Sequence, residues 1–378
     1  MRQSRARFRF SSPLAAALRL IFVSFLALTA AAQDAPPGET PPVKRSEFVI
    51  LPVVYRTPET GWAGGVAGQF SIRFGQAGPQ SRPSSIQFAL ITTQNKQTIF
   101  TAKPEIYLLQ ENIVVAGTLE ISRYPGYFYG VGPGTPDSAQ ELYTPRQTLL
   151  EIQAMHRLGA GGKLYGGLVF IHESYHFIYF DPAGQLIRGD IPGSSGGVFT
   201  GMGLGLRWDD RDNIFYPHRG RFWQIYAVRT GGWLGADYAF TRVKADLRQY
   251  ASLWAGHVLA LQLRFEAAAG SDVPFMALPK LGGDSLMRGY YAGRYRDRVM
   301  AAVQAEYRLP VFWRFDAVVF GGLGQVAPNL AALRAGATRT SVGAGLRLRV
   351  SDEGTNLRMD VGWGHGSPGV YFTAGEAF

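Results

Sequence analysis

Four stretches carry residue types that could do chemistry. Gly283-Asp284-Ser285-Leu286 matches a serine-esterase signature in which Ser285 would be the nucleophile. That chemistry needs the Ser on a strand-to-helix turn and an Asp-x-x-His pair to accept its proton. No Asp-x-x-His occurs near the C-terminus and no helical periodicity follows Ser285, so an esterase is not expected. His172 and His176, with Ser174 between them, would share a strand face. Zinc needs a third ligand, none is at hand, and the pair is expected to be solvated in a lumen or at a rim. Asp209, Asp210 and Asp212 lack the spacing of a calcium loop and read as a capped turn. The Gly-x-Gly runs at 201–205 and 343–345 open no helix and cannot cradle a phosphate. No enzyme, metal or cofactor is expected.

The elements that must position these residues start after the first 32. Arg2, Arg5, Arg7, Arg9 and Arg19 precede or flank a short apolar run, Leu20 to Ala30, and Ala30-Ala31-Ala32 offers small residues for cleavage. Residues 1–32 are therefore expected to be a secretory signal peptide, the apolar run being too short to span a bilayer. Its removal takes five Arg and no acid, halving the formal excess of +10. The remaining Arg are scattered, so no nucleic-acid surface is expected. The chain has no Cys, which excludes a disulfide framework and thiol chemistry. Residues 33–46, rich in Pro, read as a flexible periplasmic leader.

From residue 47 to 378 the dominant signal is alternation with period 2. In 340–350, Val342, Ala344, Leu346 and Leu348 share one face, and Ser341, Gly343, Arg347 and Arg349 share the other. In 356–364 the faces are Leu357, Met359, Val361 and Trp363 against Asn356, Arg358, Asp360 and Gly362. Segments 198–209, 258–267 and 301–309 repeat the pattern, with Glu306 and Arg308 on the polar face of the last. A large apolar face opposite an ionised one, in segments near ten residues, fits lipid outside and a wet lumen inside. The expected fold is all-β, a transmembrane antiparallel β-barrel of about sixteen strands, from 48–55 to 368–378. It includes strands at 146–157, 160–172 and 312–323. An even count puts both chain ends on the periplasmic side, with outward loops near 130–145, 181–196, 270–297 and 324–338. Phe372 and Phe378 are expected to face lipid on the last strand, as a C-terminal assembly signal.

Three motifs in order suggest a family. Leu281-Gly282-Gly283-Asp284-Ser285-Leu286-Met287-Arg288-Gly289-Tyr290-Tyr291 resembles the sixth extracellular loop of the BamA/TamA-type barrels, also called bacterial surface antigen barrels. Trp208-Asp209-Asp210-Arg211-Asp212 with Tyr216-Pro217-His218-Arg219-Gly220 resembles that family's turn between the eighth and ninth strands. Asp209, Asp212, Pro217 and Gly220 take the motif positions. Ala305-Glu306-Tyr307-Arg308-Leu309-Pro310 resembles the strand after the loop.

The resemblance implies a loop folded into the lumen, with Arg288 pairing to carboxylates on the following strands, Glu306 first among them, and with Gly289 and Tyr290 beside it. It also implies an Asp two residues before a Gly on the next strand. Here Gly322 stands in that place, and Asp316, of the same parity, is about 20 Å away along a strand. The expectation is a lock that is weaker here or that relies on Glu306 alone. As to function, the resemblance implies a role in inserting or transferring proteins or lipids at the bacterial outer membrane. The route would be a weak seam between first and last strands, where Pro52 gives no ladder donor. Expected partners are outer-membrane lipid and lipopolysaccharide, the assembly machinery for the barrel's own insertion, and an unidentified periplasmic partner or client. The stretch from Gln33 to the first strand is too short for POTRA receptor domains, so a POTRA-less member is expected. The alternative is a passive pore or structural surface barrel.

Overall fold

The computed structural model describes residues 46–57, 61–74, 81–159, 161–334, 337–364 and 368–378. The expected signal peptide and all but the last residue of the leader lie outside them. Sixteen long strands, each pairing antiparallel with its sequence neighbour, build the wall among the described residues. The first eight are β1 (Ser46–Thr57), β2 (Gly61–Ile72), β3 (Ser84–Thr93), β4 (Thr98–Leu108), β5 (Ile113–Arg123), β7 (Glu141–Arg157), β8 (Leu164–Phe180) and β9 (Gly197–Asp209). The next are β10 (Gly220–Thr230), β11 (Phe240–Ser252), β12 (Val258–Ala269), β15 (Val299–Phe312), β16 (Phe315–Ala327), β17 (Arg339–Arg349), β18 (Asn356–Trp363) and β19 (Gly369–Ala374). Between them, β6 (Gly126–Phe128) adds three residues beside β7, and β13 (Lys280–Leu281) pairs with β14 (Tyr295–Arg296) inside the long loop. Both described ends lie on one rim, the chain-end rim. The three longest connections, 124–140, 181–196 and 270–298, lie on the other, the loop rim, as does 328–338.

The alternation settles which face meets what. Leu204, Leu206, Ile225, Leu263, Val303, Val319, Val342 and Leu346 project outward and are exposed, Leu204 at 69% and Val342 at 60%. Opposite them, Arg207, Gln262, Gln304, Glu306, Arg308, Arg347 and Asp360 point inward and are buried. A protein in water would not leave so much contiguous apolar surface outside and bury its charges within. Hydrocarbon outside and a polar interior explain both. Trp208 and Trp223 are directly paired near the chain-end rim, and Trp363 ends β18 near the loop rim, as interfacial aromatics do.

Four strands differ from the sequence reading. β7 begins at Glu141, five residues early, because a register shift at Thr144/Pro145 absorbs the missing donor of Pro145. β16 begins at Phe315 and runs on to Ala327, extending the wall into the expected loop. β8 runs to Phe180, well past 172, since the outward face there turns polar while Glu173 and Tyr175 keep inward parity and stay buried. β19 stops at Ala374. Phe372 faces outward as expected, but Phe378 does not. After Ala374 the chain turns at Gly375, φ +81°, and Phe378 packs buried against Tyr250 and Ala260. The turn carries the tail off the wall, so strand parity no longer applies to it.

His172 and His176, expected in a lumen or at a rim, do not line the lumen, and His176 is exposed toward the loop rim. Both stand on the outward face of β8, His172 bonded at 2.9 Å to Thr200 Oγ1. Among the described residues no His, Asp or Glu set converges as a metal site requires.

Candidate functional site: a loop held in the lumen

The 270–298 connection follows the eleventh wall strand and folds inward. Met287 and Arg288 are fully buried. The Arg288 guanidinium donates from Nη2 to Glu306 Oε2 at 2.7 Å and from Nη1 to Asp360 Oδ2 at 2.5 Å. Its flat face lies 3.4 Å from the centroid of the Phe320 ring. A planar fork can serve two carboxylates and stack on a ring at once, which a Lys cannot.

Those carboxylates are themselves held. Arg308 Nε donates to Glu306 Oε1 at 2.9 Å, and Arg347 Nη1 donates to Asp360 Oδ1 at 2.6 Å. Arg347 Nε donates to Glu376 Oε2 at 2.8 Å, and Arg308 Nη2 lies 3.7 Å from the same carboxylate. Arg358 stands 3.7 Å from Asp360 and 3.8 Å from the half-exposed Asp284, and its Nε donates to Thr373 Oγ1 at 2.7 Å. The result is a buried lattice in which each carboxylate touches at least two guanidinium groups. Every charge removed from water is offset by neighbours, which such burial demands.

The expectation of a weaker lock, or of one relying on Glu306 alone, is therefore corrected. The second carboxylate exists, and it lies on β18 rather than β16. Asp360 stands two residues before Gly362, the pattern sought at Gly322. Gly362 matters for space: a Cβ there would come within 2.6 Å of the Arg288 carbonyl. The loop passes over β18 through that gap. Gly289 adopts φ +109°, and its own Cβ would meet Gly364 N at 2.5 Å. Its N–H donates to Tyr371 Oη at 2.8 Å, and Tyr290 Oη donates to the Thr340 carbonyl at 3.0 Å. Gly362→Ala is expected to lower stability by about 1–3 kcal/mol, the usual cost of overpacking. The check is denaturant unfolding in detergent. Gly321→Ala, where a Cβ meets nothing nearer than 3.6 Å, should be near neutral.

The turn from β9 to β10 supports the lattice from the chain-end rim. Asp209, nearly inaccessible, accepts from Arg211 Nε at 3.0 Å and Nη2 at 2.8 Å, and lies 3.0 Å from Arg82. Asp212 Oδ1 accepts from the backbone N–H groups of Asn213, His218 and Arg219, closing the turn. The Pro217 carbonyl accepts from Arg308 Nη1 at 3.3 Å. Gly220 takes φ +100° to re-enter the sheet. Burial holds the His218 imidazole below its usual pKa, against the pull of Asp212 3.8 Å away.

Neighbouring loops cap the inserted one. Arg294 donates to Asp137 Oδ1 and to the Thr135 carbonyl, and the Gly132 N–H donates to the Arg296 carbonyl. Phe275, wholly buried, packs with Phe128, Tyr143, Leu186 and Phe199. The Ser285 carbonyl accepts from Gln304 Nε2 at 2.8 Å.

The sequence reading brought together Arg288, Gly289, Tyr290 and Glu306, and placed Asp209, Asp212, Pro217 and Gly220 in one turn. It missed Asp360, Arg308, Arg347, Arg358 and Glu376 as members of the lattice. Strand parity had put the first four on polar faces. Only the proximity of non-adjacent strands across the lumen was lacking.

Comparison with known proteins decides the family of this region. Residues 200–378 match the model of the Omp85 superfamily domain. This part of the chain is an Omp85 superfamily domain. The domain contains the turn, the inserted loop and the whole lattice. Solved structures extend the fold likeness to nearly the whole chain. BamA from Haemophilus ducreyi lacking POTRA domains 1–3 matches at TM-score 0.54 and 14% identity, over 87% of this chain and 69% of that one. CdiB from Acinetobacter baumannii matches at TM-score 0.55 and 12% identity, over 88% and 60%. CdiB from Escherichia coli matches at TM-score 0.55 and 12% identity, over 88% and 62%. The chain thus spans less than two thirds of either CdiB. No curated protein matches it. With the Omp85 domain and the barrel in hand, the protein is an outer-membrane β-barrel.

Proposed function

We propose that this Omp85 barrel assists insertion or transfer of proteins or lipids at the outer membrane, without enzymatic chemistry, and that the edge of β1 receives the client. One observation carries the reading. β1 runs twelve residues along β2, whereas β19 offers only six before the chain turns into the lumen. Half of the outer edge of β1 therefore has no counterpart of equal length in β19. Exposed strand edges template an incoming strand through their free N–H and C=O groups. Pro52, in mid-strand, withholds one donor. The lattice holds the loop and the strands from β15 to β18 rigid while that edge works. A free periplasmic partner or client would approach from the chain-end rim, following the signal-directed export proposed for residues 1–32.

The test is reconstitution in lipid vesicles with an unfolded eight-stranded barrel as client. The expected result is client folding several times faster than in empty vesicles, with the gain lost in Arg288→Ala. Steady ion conductance with no acceleration would instead make the protein a passive pore.

A further inference from the structure

The outward face is apolar over most of its height, but on β4, β5, β7 and β8 it changes near the loop rim. Arg123 is paired in register with Thr98 on one side and Arg146 on the other, and Arg146 is paired with His176. All four share outward parity and are exposed. Like charges directly opposite on neighbouring strands repel. Yet neither Arg123 nor Arg146 nor His176 has a side-chain hydrogen bond or ion pair with any described residue. Their side chains edge an open groove of about 830 Å³, whose floor includes Phe100, Ile121 and Val198. Thr148 and Ser174, also paired, lie one step below. Among the described residues no carboxylate lines the groove.

Height fixes what the row faces. From Leu164 to His176 the strand advances about 40 Å at roughly 3.3 Å per residue, or about 28 Å along the barrel axis at a tilt near 45°. The apolar band of such barrels is about 25 Å tall. The row therefore stands at headgroup level in the loop-side leaflet, with the apolar floor of the groove at acyl-chain level. Its width, three interstrand steps, is about 14 Å. A single glycerol phosphate would meet one guanidinium. A disaccharide with a phosphate at each end would cover the row and present hydroxyls to Thr148 and Ser174.

We propose that this outward groove is a binding site for the phosphorylated glycolipid of the outer leaflet. The lipid A phosphates would lie over Arg123, Arg146 and His176, and an acyl chain over Phe100 and Ile121. Arg is suited to the role because its fork meets phosphate oxygens in pairs. The site explains why two cations face each other across a ladder with no counter-ion among the described residues. It is independent of any insertase activity, since none of the row's residues belongs to the seam strands or to the lattice.

The experiment uses the whole barrel in nanodiscs and measures retention of lipid A, of dephosphorylated lipid A and of phosphatidylglycerol by mass spectrometry. Wild type should retain lipid A at least tenfold better than either of the others. The Arg123→Gln/Arg146→Gln pair should lose that preference while keeping heat-modifiable barrel migration, and His176→Gln alone should lose part of it. Arg229→Gln removes an outward arginine on β10 that lies outside the row and donates to Thr241 Oγ1, and it should change nothing. Equal retention of phosphatidylglycerol, no loss in the pair, or an equal loss in Arg229→Gln would overturn the proposal.

Discussion

Glu306→Gln is expected to destabilise the barrel by about 3–5 kcal/mol, the cost of removing one partner from a buried ion pair. Three guanidinium groups, those of Arg288, Arg308 and Arg347, depend on this one carboxylate. The amide leaves the shape almost unchanged but withdraws the charge that offsets them. Asp360 and Glu376 still touch Arg347, yet neither approaches Arg308 as closely as Glu306 does. The residual excess of positive charge sits at sites with essentially no access to water. Denaturant midpoints in detergent, read by tryptophan fluorescence, check this. A Glu306→Gln barrel as stable as wild type would mean that the lattice is hydrated.

Arg288→Ala should act differently, on the loop more than on the wall. Glu306 keeps Arg308 and Arg347, and Asp360 keeps Arg347 and Arg358, so the carboxylates left behind remain compensated. What is lost is the anchor of the loop. Its local hydrogen bonds, Gly283 N–H to the Tyr290 carbonyl and Gly289 N–H to Tyr371 Oη, then have little to hold them in place. Hydrogen exchange at these amides should accelerate on the order of a hundredfold, equivalent to about 3 kcal/mol at 1.4 kcal/mol per tenfold. Amides of β17 and β18 should change far less. Arg288→Lys should resemble the alanine variant, since an ammonium cannot bridge two carboxylates and stack on Phe320 together.

Much of this was legible in the sequence, for a physical reason. A barrel wall imposes one parity on every strand, so Leu346 and Arg347 declare their faces without any knowledge of their neighbours. The loop motif located Arg288, and the parity of 301–309 located Glu306. What the sequence could not show was distance across the lumen. Asp360 and Glu306 are on strands that never pair, and no periodicity brings them to one guanidinium. The family resemblance implies the second carboxylate on the next strand, where Gly322 stands, while the loop crosses to Asp360 on β18. Parity also failed where the surroundings change. At His172–His176 the outward face leaves hydrocarbon, so the apolar-against-polar contrast that marks a wall strand fades before β8 ends at Phe180. Beyond Ala374 the strand ends, so Phe378 turns inward against the alternation that predicted lipid.

The claim on which the rest depends is that the inserted loop is pinned to β18 by the contact between Arg288 and Asp360. A double-mutant cycle with Arg288→Ala, Asp360→Asn and the pair measures it most directly. The expected coupling exceeds about 1 kcal/mol, within the range for residues in one charged network. Additivity within about 0.3–0.5 kcal/mol, as for distant sites, would show that the two side chains do not meet and that the loop lies elsewhere.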